Sequence, residues 1–153
     1  MKELNLIVVG QLKDQNLLAL EEHYLKQIKT FKLNIHEIKS QKEDVSIEAS
    51  LVLKKIDQLN QNSKSMMILL TETGKQMDSV SFSKWLYNHL EKTSGSLYLI
   101  VGGSSGFGEE LLSRANEKIS LSLLTFPHKM ARIILIEQLY RAQTIHTHHP
   151  YHK

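Results

Sequence analysis

Five β-prone apolar runs alternate along this chain with five segments of helical spacing, and that alternation leaves few folds open. Leu4–Val9 is the first run, ended by Gly10; Leu17–Phe31 then sets Leu17, Leu20, Tyr24, Leu25 and Ile28 along one helical face. Leu33–Ile38 is a weak strand, and Val45–Leu59 returns to helical spacing through Ile47, Leu51 and Ile56. Ser65–Leu70 is a third strand, closed by Thr71-Glu-Thr-Gly74 and followed by a helix marked by Phe82, Trp85, Leu86 and Leu90. Ser96–Val101 is the fourth, running into Gly102-Gly-Ser-Ser-Gly-Phe-Gly108. Glu109 and Glu110 then suit the first turn of a helix, whose dipole favours negative charge. Leu121–Leu124 supplies a fifth short strand, and Pro127 opens a last helix from about His128 to about Ile145. The pattern predicts an α/β domain, a mainly parallel sheet with helices on both faces.

The last helix adds a constraint of its own. Ile133, Ile134, Leu135 and Ile136 are consecutive, so they cover every side of it rather than one stripe. A helix that is apolar all round is buried on more than one face. Core on one side and a second subunit on the other is the predicted arrangement.

A length of 153 residues fits one domain, 1–153, able to bury a core without covalent staples. The absence of cysteine excludes a disulfide framework and a Cys-based zinc site, and agrees with a cytoplasmic location. At the N-terminus Glu3 and Asn5 interrupt the apolar run, which reads as a strand rather than a signal peptide. The longest nearly apolar stretch, Ile133–Ile136, is far short of the roughly 20 residues that span a bilayer, so no membrane segment is expected. The formal charge of +3 lies entirely in the last third, where Lys129, Arg132, Arg141 and Lys153 face one acid, Glu137. Five of the eight histidines lie there too: His128, His146, His148, His149 and His152. A cationic end of this kind points to a polyanion.

Three constellations carry possible chemistry. The glycine turn after Val101 fits a ligand loop at the carboxyl end of a parallel strand, and fits equally a simple turn. It is neither Gly-x-Gly-x-x-Gly nor a phosphate-binding loop, because Glu109 stands where the latter needs lysine. The histidine-rich tail offers metal-ligand types, but the residue before Pro150 avoids the helical region and no acid completes a set, so no metal is expected. Lys129 and Arg132 share a helix face at i, i+3, which suits either a solvated stripe or nucleic-acid phosphates. Tyr151, beside His152 and Lys153, adds a ring able to stack on an unpaired base.

Taken in order, the motifs resemble one family. They are Val8-Val9-Gly10, Leu70 four residues before Gly74-Lys75, Val101-Gly-Gly-Ser-Ser-Gly106, Leu121-Ser-Leu-Leu-Thr-Phe-Pro-His128, Glu137-Gln-Leu-Tyr-Arg-Ala142 and His149-Pro-Tyr-His-Lys153. The chain is similar along its whole length to the RlmH (YbeA) methyltransferases of the SPOUT class. The resemblance implies a C-terminal trefoil knot, which general rules of chain topology would not suggest. It also implies a homodimer that moves a methyl group from S-adenosylmethionine to N3 of a pseudouridine in 23S ribosomal RNA. The target would be the stem-loop facing the decoding centre, on the assembled 70S ribosome. Carried over by position, the cofactor site is Leu70, Gly102, Gly103, Leu121, Ser122, Leu123, Leu124, Thr125 and Phe126, bounded by Pro127 and His128. Arg141, Tyr151 and His152 would place the base, with His152 or Tyr151 nearest the proton transfer, while Lys129, Arg132 and Lys153 hold the RNA backbone. One departure stands out: many relatives carry an acid directly after the position of Leu70, whereas this chain has Thr71 there and the acid, Glu72, one place later. Two other readings are a knotted RNA-binding protein without catalysis and an α/β protein for another nucleotide.

Overall fold

The protein is described by a computed structural model covering residues 1–42, 44–60 and 64–153. Its elements in chain order are β1 (Glu3–Val9), α1 (Gln15–Leu25), β2 (Lys32–Ile38), α2 (Val45–Leu59), β3 (Ser65–Gln76), α3 (Ser79–Lys92), β4 (Ser96–Val101), α4 (Glu109–Arg114), β5 (Glu117–Ser120) and α5 (His128–His146). All strand pairs are parallel, in the order β2-β1-β4-β3-β5.

Alternation along each strand sorts the core into two layers. Leu4, Leu6 and Val8 of β1 pack with Leu97 and Leu99 beneath α3 and α5, where Leu86, Leu135, Ile136 and Leu139 are buried. Ile7 and Val9 face the other way with Tyr98 and Ile100, against Val52, Leu53 and Ile56 of α2 and Leu111 of α4. Helices therefore cover both faces. Asp14, Asp44 and Asp78 start α1, α2 and α3, each accepting from backbone amides of the first turn.

Four expectations change. The first helix ends at Leu25 rather than reaching Phe31, because the next peptide groups find partners on α5. The Gln143 side chain accepts from the Lys29 and Thr30 amides at 2.6 and 3.0 Å and donates to the Gln27 carbonyl at 2.7 Å, which turns the chain and sends Ile28 and Phe31 into the core. The third strand continues past Leu70 to Gln76. The fifth strand is Glu117–Ser120, not Leu121–Leu124. Ser120 Oγ donates to the Ser122 carbonyl and Ser122 Oγ accepts from the Leu124 amide, so side chains bend this backbone away from the ladder and leave Leu123 77% and Leu124 71% exposed. Finally, Ile133, Leu135 and Ile136 are all buried within the single chain and only Ile134 is half-buried. The shared burial assigned to a second subunit is supplied mostly by the sheet, α1 and α3.

Candidate active site

Open parallel sheets hold ligands at the carboxyl ends of their strands, where connecting loops diverge. Here the ends of β3 and β4 and the segment after β5 enclose a cleft of about 780 Å³. That volume lies within the usual range for small-molecule sites, about 300–1,000 Å³.

Each wall has a local cause. On β3, Leu70 and Lys75 both register with Ile119 of β5, so residues 71–74 are forced out of the ladder as an excursion. Gly74 makes this possible: a Cβ there would stand 2.5–2.7 Å from the Ile119 backbone. Beyond β4, Gly106 donates to the Gly103 carbonyl at 3.1 Å and folds the glycine loop on itself. At Gly102 the space of a Cβ is already taken by the Gly106 carbonyl at 2.9 Å and the Phe107 ring at 3.1 Å. That glycine serves closure of the loop. The third wall runs from Leu121 to His128 and Ala131 of α5. Thr125 Oγ1 donates to Glu72 Oε2 at 2.9 Å, tying this wall to the β3 excursion.

Of the positions expected to hold a cofactor, Leu70, Gly102, Gly103, Leu121, Ser122, Leu124, Thr125 and Phe126 line this cleft; Leu123 does not, and points into solvent. Phe107, Leu112 and Ala131 join them without having been expected, as do Thr71 and Glu72, the pair at which the chain departs from many relatives. No lysine or arginine is among the described residues of the lining.

The tail forms a separate cluster. Tyr151 and His152 return to α5, where Glu137 Oε1 accepts from Arg141 Nε at 2.9 Å, from Arg141 Nη2 at 2.6 Å and from the Tyr151 hydroxyl at 3.0 Å. The Arg141 guanidinium lies 4.9 Å from the centre of the Tyr151 ring, which also packs on Tyr140. Hydrogen bonding to Glu137 raises the Arg141 pKa further above its ordinary value. Burial, then the hydrogen bond to the Glu137 carboxylate, pushes the Tyr151 phenol well above 10. In its bond to Glu137 the Tyr151 hydroxyl is the donor. Arg141 Nη1 lies 3.1 Å from His152 Nδ1, and since arginine only donates, that nitrogen is the acceptor. The sequence marks Glu137 as the lone acid of the last third and as part of a family motif but gives it no site role, although its i, i+4 spacing to Arg141 was a usable signal.

Arg141, Tyr151 and His152 do not line the cleft. His152 instead faces a second opening with Asp78, Ile134 and Gln138, and Leu121 belongs to the walls of both.

Arg132 is a correction. It is 6% exposed, with Nε and Nη2 on Glu21 at 2.7 and 2.9 Å and Nη1 on Glu37 at 2.7 Å. A guanidinium saturated by two carboxylates and buried beneath α1 has nothing to offer an RNA phosphate. Its place is structural: Glu37 also accepts from the Leu12 amide at 2.8 Å, so the triad ties the start of α5 to α1, β2 and the loop after β1. Lys129 and Lys153 are exposed. In the tail His146 stacks on Tyr87 and His149 Nδ1 accepts from the Tyr151 amide, and among the described residues no three His, Asp or Glu side chains gather as a metal set. No described helix is long and apolar enough to cross a membrane.

Comparison with known proteins matches residues 1–152 to the family model described as "Predicted SPOUT methyltransferase". A protein of Clostridium botulinum (strain Kyoto / Type A2) named Ribosomal RNA large subunit methyltransferase H is 36% identical over 162 residues, covering 98% of this chain and 99% of its own. A protein of the same name from Bacteroides fragilis (strain YCH46) is 35% identical over 151 residues, covering 96% of each. Among solved structures, a probable methylase family protein from Haemophilus influenzae Rd KW20 superposes with a TM-score of 0.58 at 11% identity, covering 98% of this chain and 70% of that one; this likeness concerns the fold alone.

Proposed function

Since the chain belongs to the SPOUT methyltransferase family, we propose that it methylates large-subunit ribosomal RNA, with S-adenosylmethionine as donor and N3 of a pseudouridine in the decoding-centre-facing stem-loop as acceptor. The observation that carries the donor assignment is the lining of the cleft. The glycine loop and residues 121–126 bring main chain to the cleft where an adenine would lie, and Phe107, Leu112 and Phe126 supply apolar walls. The absence of lysine and arginine from the described lining disfavours a phosphorylated nucleotide, whose charge calls for cations. S-adenosylmethionine brings a sulfonium-bound methyl group that is already electrophilic, so the protein's task is alignment.

The chain's own residues divide that task. The three loops bind the donor; Arg141, Tyr151 and His152, organised by Glu137, hold the base; exposed Lys129 and Lys153 contact the RNA backbone. With Tyr151 held as a donor to Glu137, His152 is the group of this cluster that takes the proton from N3. Separation of the tail cluster from the cleft within one chain supports a homodimer in which a second copy completes the site; that 1–153 is one knotted methyltransferase domain working in the cytoplasm rests on its family.

Labelled-methyl transfer to 70S ribosomes, free subunits and naked rRNA tests the reading directly. Label at a single pseudouridine of 23S rRNA, strongest on 70S particles, is the expected result. Donor binding by calorimetry without transfer to any form would instead favour an RNA-binding protein that has lost catalysis.

A further inference from the structure

Glu72 occupies a singular place in the cleft. Among the described lining residues it carries the only carboxylate, and His128 is the only other titratable side chain. The β3 excursion explains why it is there: four residues displaced between Leu70 and Lys75 lift it off the ladder towards the Leu121–His128 wall. Thr125 Oγ1 then holds one carboxylate oxygen at 2.9 Å. A hydroxyl is a neutral donor, so this bond orients the carboxylate without cancelling its charge. None of the ion pairs among the described residues involves Glu72. The cleft therefore carries one oriented negative charge and no compensating lysine or arginine in its described lining.

That charge distinguishes the two ends of a methyl transfer. The donor carries a sulfonium cation, and the product, once the methyl has left, carries a neutral thioether of nearly the same shape. Backbone groups and apolar walls see the two molecules almost alike; a fixed charge does not. We propose that Glu72 sets the preference of this cleft for the cationic methyl donor over its neutral thioether product, and so favours product release after transfer. This rests on the donor assigned under Proposed function.

The magnitude follows from exposure. Glu72 is solvent-exposed, and pairs of that kind contribute at most about 1 kcal/mol, which is about fivefold in affinity. The experiment is calorimetry of S-adenosylmethionine and S-adenosylhomocysteine on the full chain and on Glu72→Gln, Glu72→Asp and Thr125→Val, at about 50 and 500 mM salt. In Glu72→Gln the donor-to-product affinity ratio is expected to fall about three- to fivefold, with the affinity for S-adenosylhomocysteine unchanged within about twofold. Glu72→Asp keeps most of the ratio, and Thr125→Val, which releases the carboxylate, loses part of it. High salt lowers the ratio in the wild-type chain but not in Glu72→Gln.

Equal weakening of both ligands would mean that Glu72 contacts the amino-acid end they share, and would overturn the proposal. An unchanged ratio overturns it too. Failure of the wild-type chain to bind either ligand sinks the donor assignment itself, and the two failures are thereby told apart. Should Glu72→Gln not fold, the Thr125→Val and salt comparisons still decide the question.

Discussion

Replacing Arg132 with methionine keeps length and apolar volume but removes the guanidinium at the centre of the Glu21–Arg132–Glu37 triad. Both Arg132 and Glu21 have side chains only 7% exposed, so the substitution strands a carboxylate in the interior. Removing one partner of such a buried pair costs about 3–5 kcal/mol. Glu37, with 35% of its side chain exposed, adds little, because water replaces the lost partner. At a urea dependence of about 2 kcal/mol per molar, the unfolding midpoint should fall by about 2 M. Circular dichroism at one fixed protein concentration measures this, since subunit association would otherwise shift the midpoint. Adding Glu21→Gln to Arg132→Met relieves the stranded charge and should recover more than about 1 kcal/mol. A loss below about 1 kcal/mol in Arg132→Met, or no recovery in the double variant, would refute a buried structural role and return Arg132 to the surface chemistry first expected of it.

Three further outcomes follow from the geometry. Burial alone would raise the Glu37 carboxyl, but hydrogen bonds from Arg132 and the Leu12 amide outweigh it and hold the group below its ordinary 4.5. The unfolded chain then takes up the proton first as pH falls: this stabilisation is complete above about pH 4.5 and is lost as pH drops through the folded value, so Glu37→Gln should flatten the acid limb of a stability–pH curve, and an unaltered limb would contradict the assignment. Gly74→Ala brings a methyl group to 2.5 Å from the Ile119 backbone; β5 must shift, with an expected cost of about 1–3 kcal/mol and weaker donor binding, and an unchanged Tm would exclude the tight approach. Tyr151→Phe removes a hydroxyl that donates to Glu137, so methyl transfer should fall by less than about tenfold, whereas a loss of a hundredfold or more would make the phenol a proton-transfer group after all.

Much of the fold was legible because periodicity reports burial on one face of one element. Val45–Leu59 and Ser96–Val101 coincide with α2 and β4 to the residue, since caps and apolar spacing are local signals. Residues 121–126, singled out through the resemblance rather than through their composition, border the cleft at all positions but Leu123. Where local signals misled, a distant partner had intervened. Leu121–Leu124 has the composition of a strand, yet β3 pairs with Glu117–Ser120 and serine side chains take the following backbone groups. Leu17–Phe31 continues a helical pattern, yet Gln143, more than a hundred residues away, supplies the hydrogen bonds that end the helix early.

Charge shows the same division. By itself the amino-acid sequence determined that the chain is an α/β domain, that its excess of cations lies in the last third, and that glycines follow the fourth strand. It could not say which cations are free. Arg132 and Lys129 lie three residues apart on one helix with the same formal charge, but only folding sets Arg132 against Glu21 and Glu37 while leaving Lys129 in water. The position of Glu72 was likewise decided by the tertiary structure, because the excursion that turns it to the cleft exists only when β3 pairs with Ile119 of β5. Spacing along the chain carries burial and periodicity; the pairing of charges depends on distances between segments that are remote in sequence, and those distances are set only when the sheet closes and its helices pack.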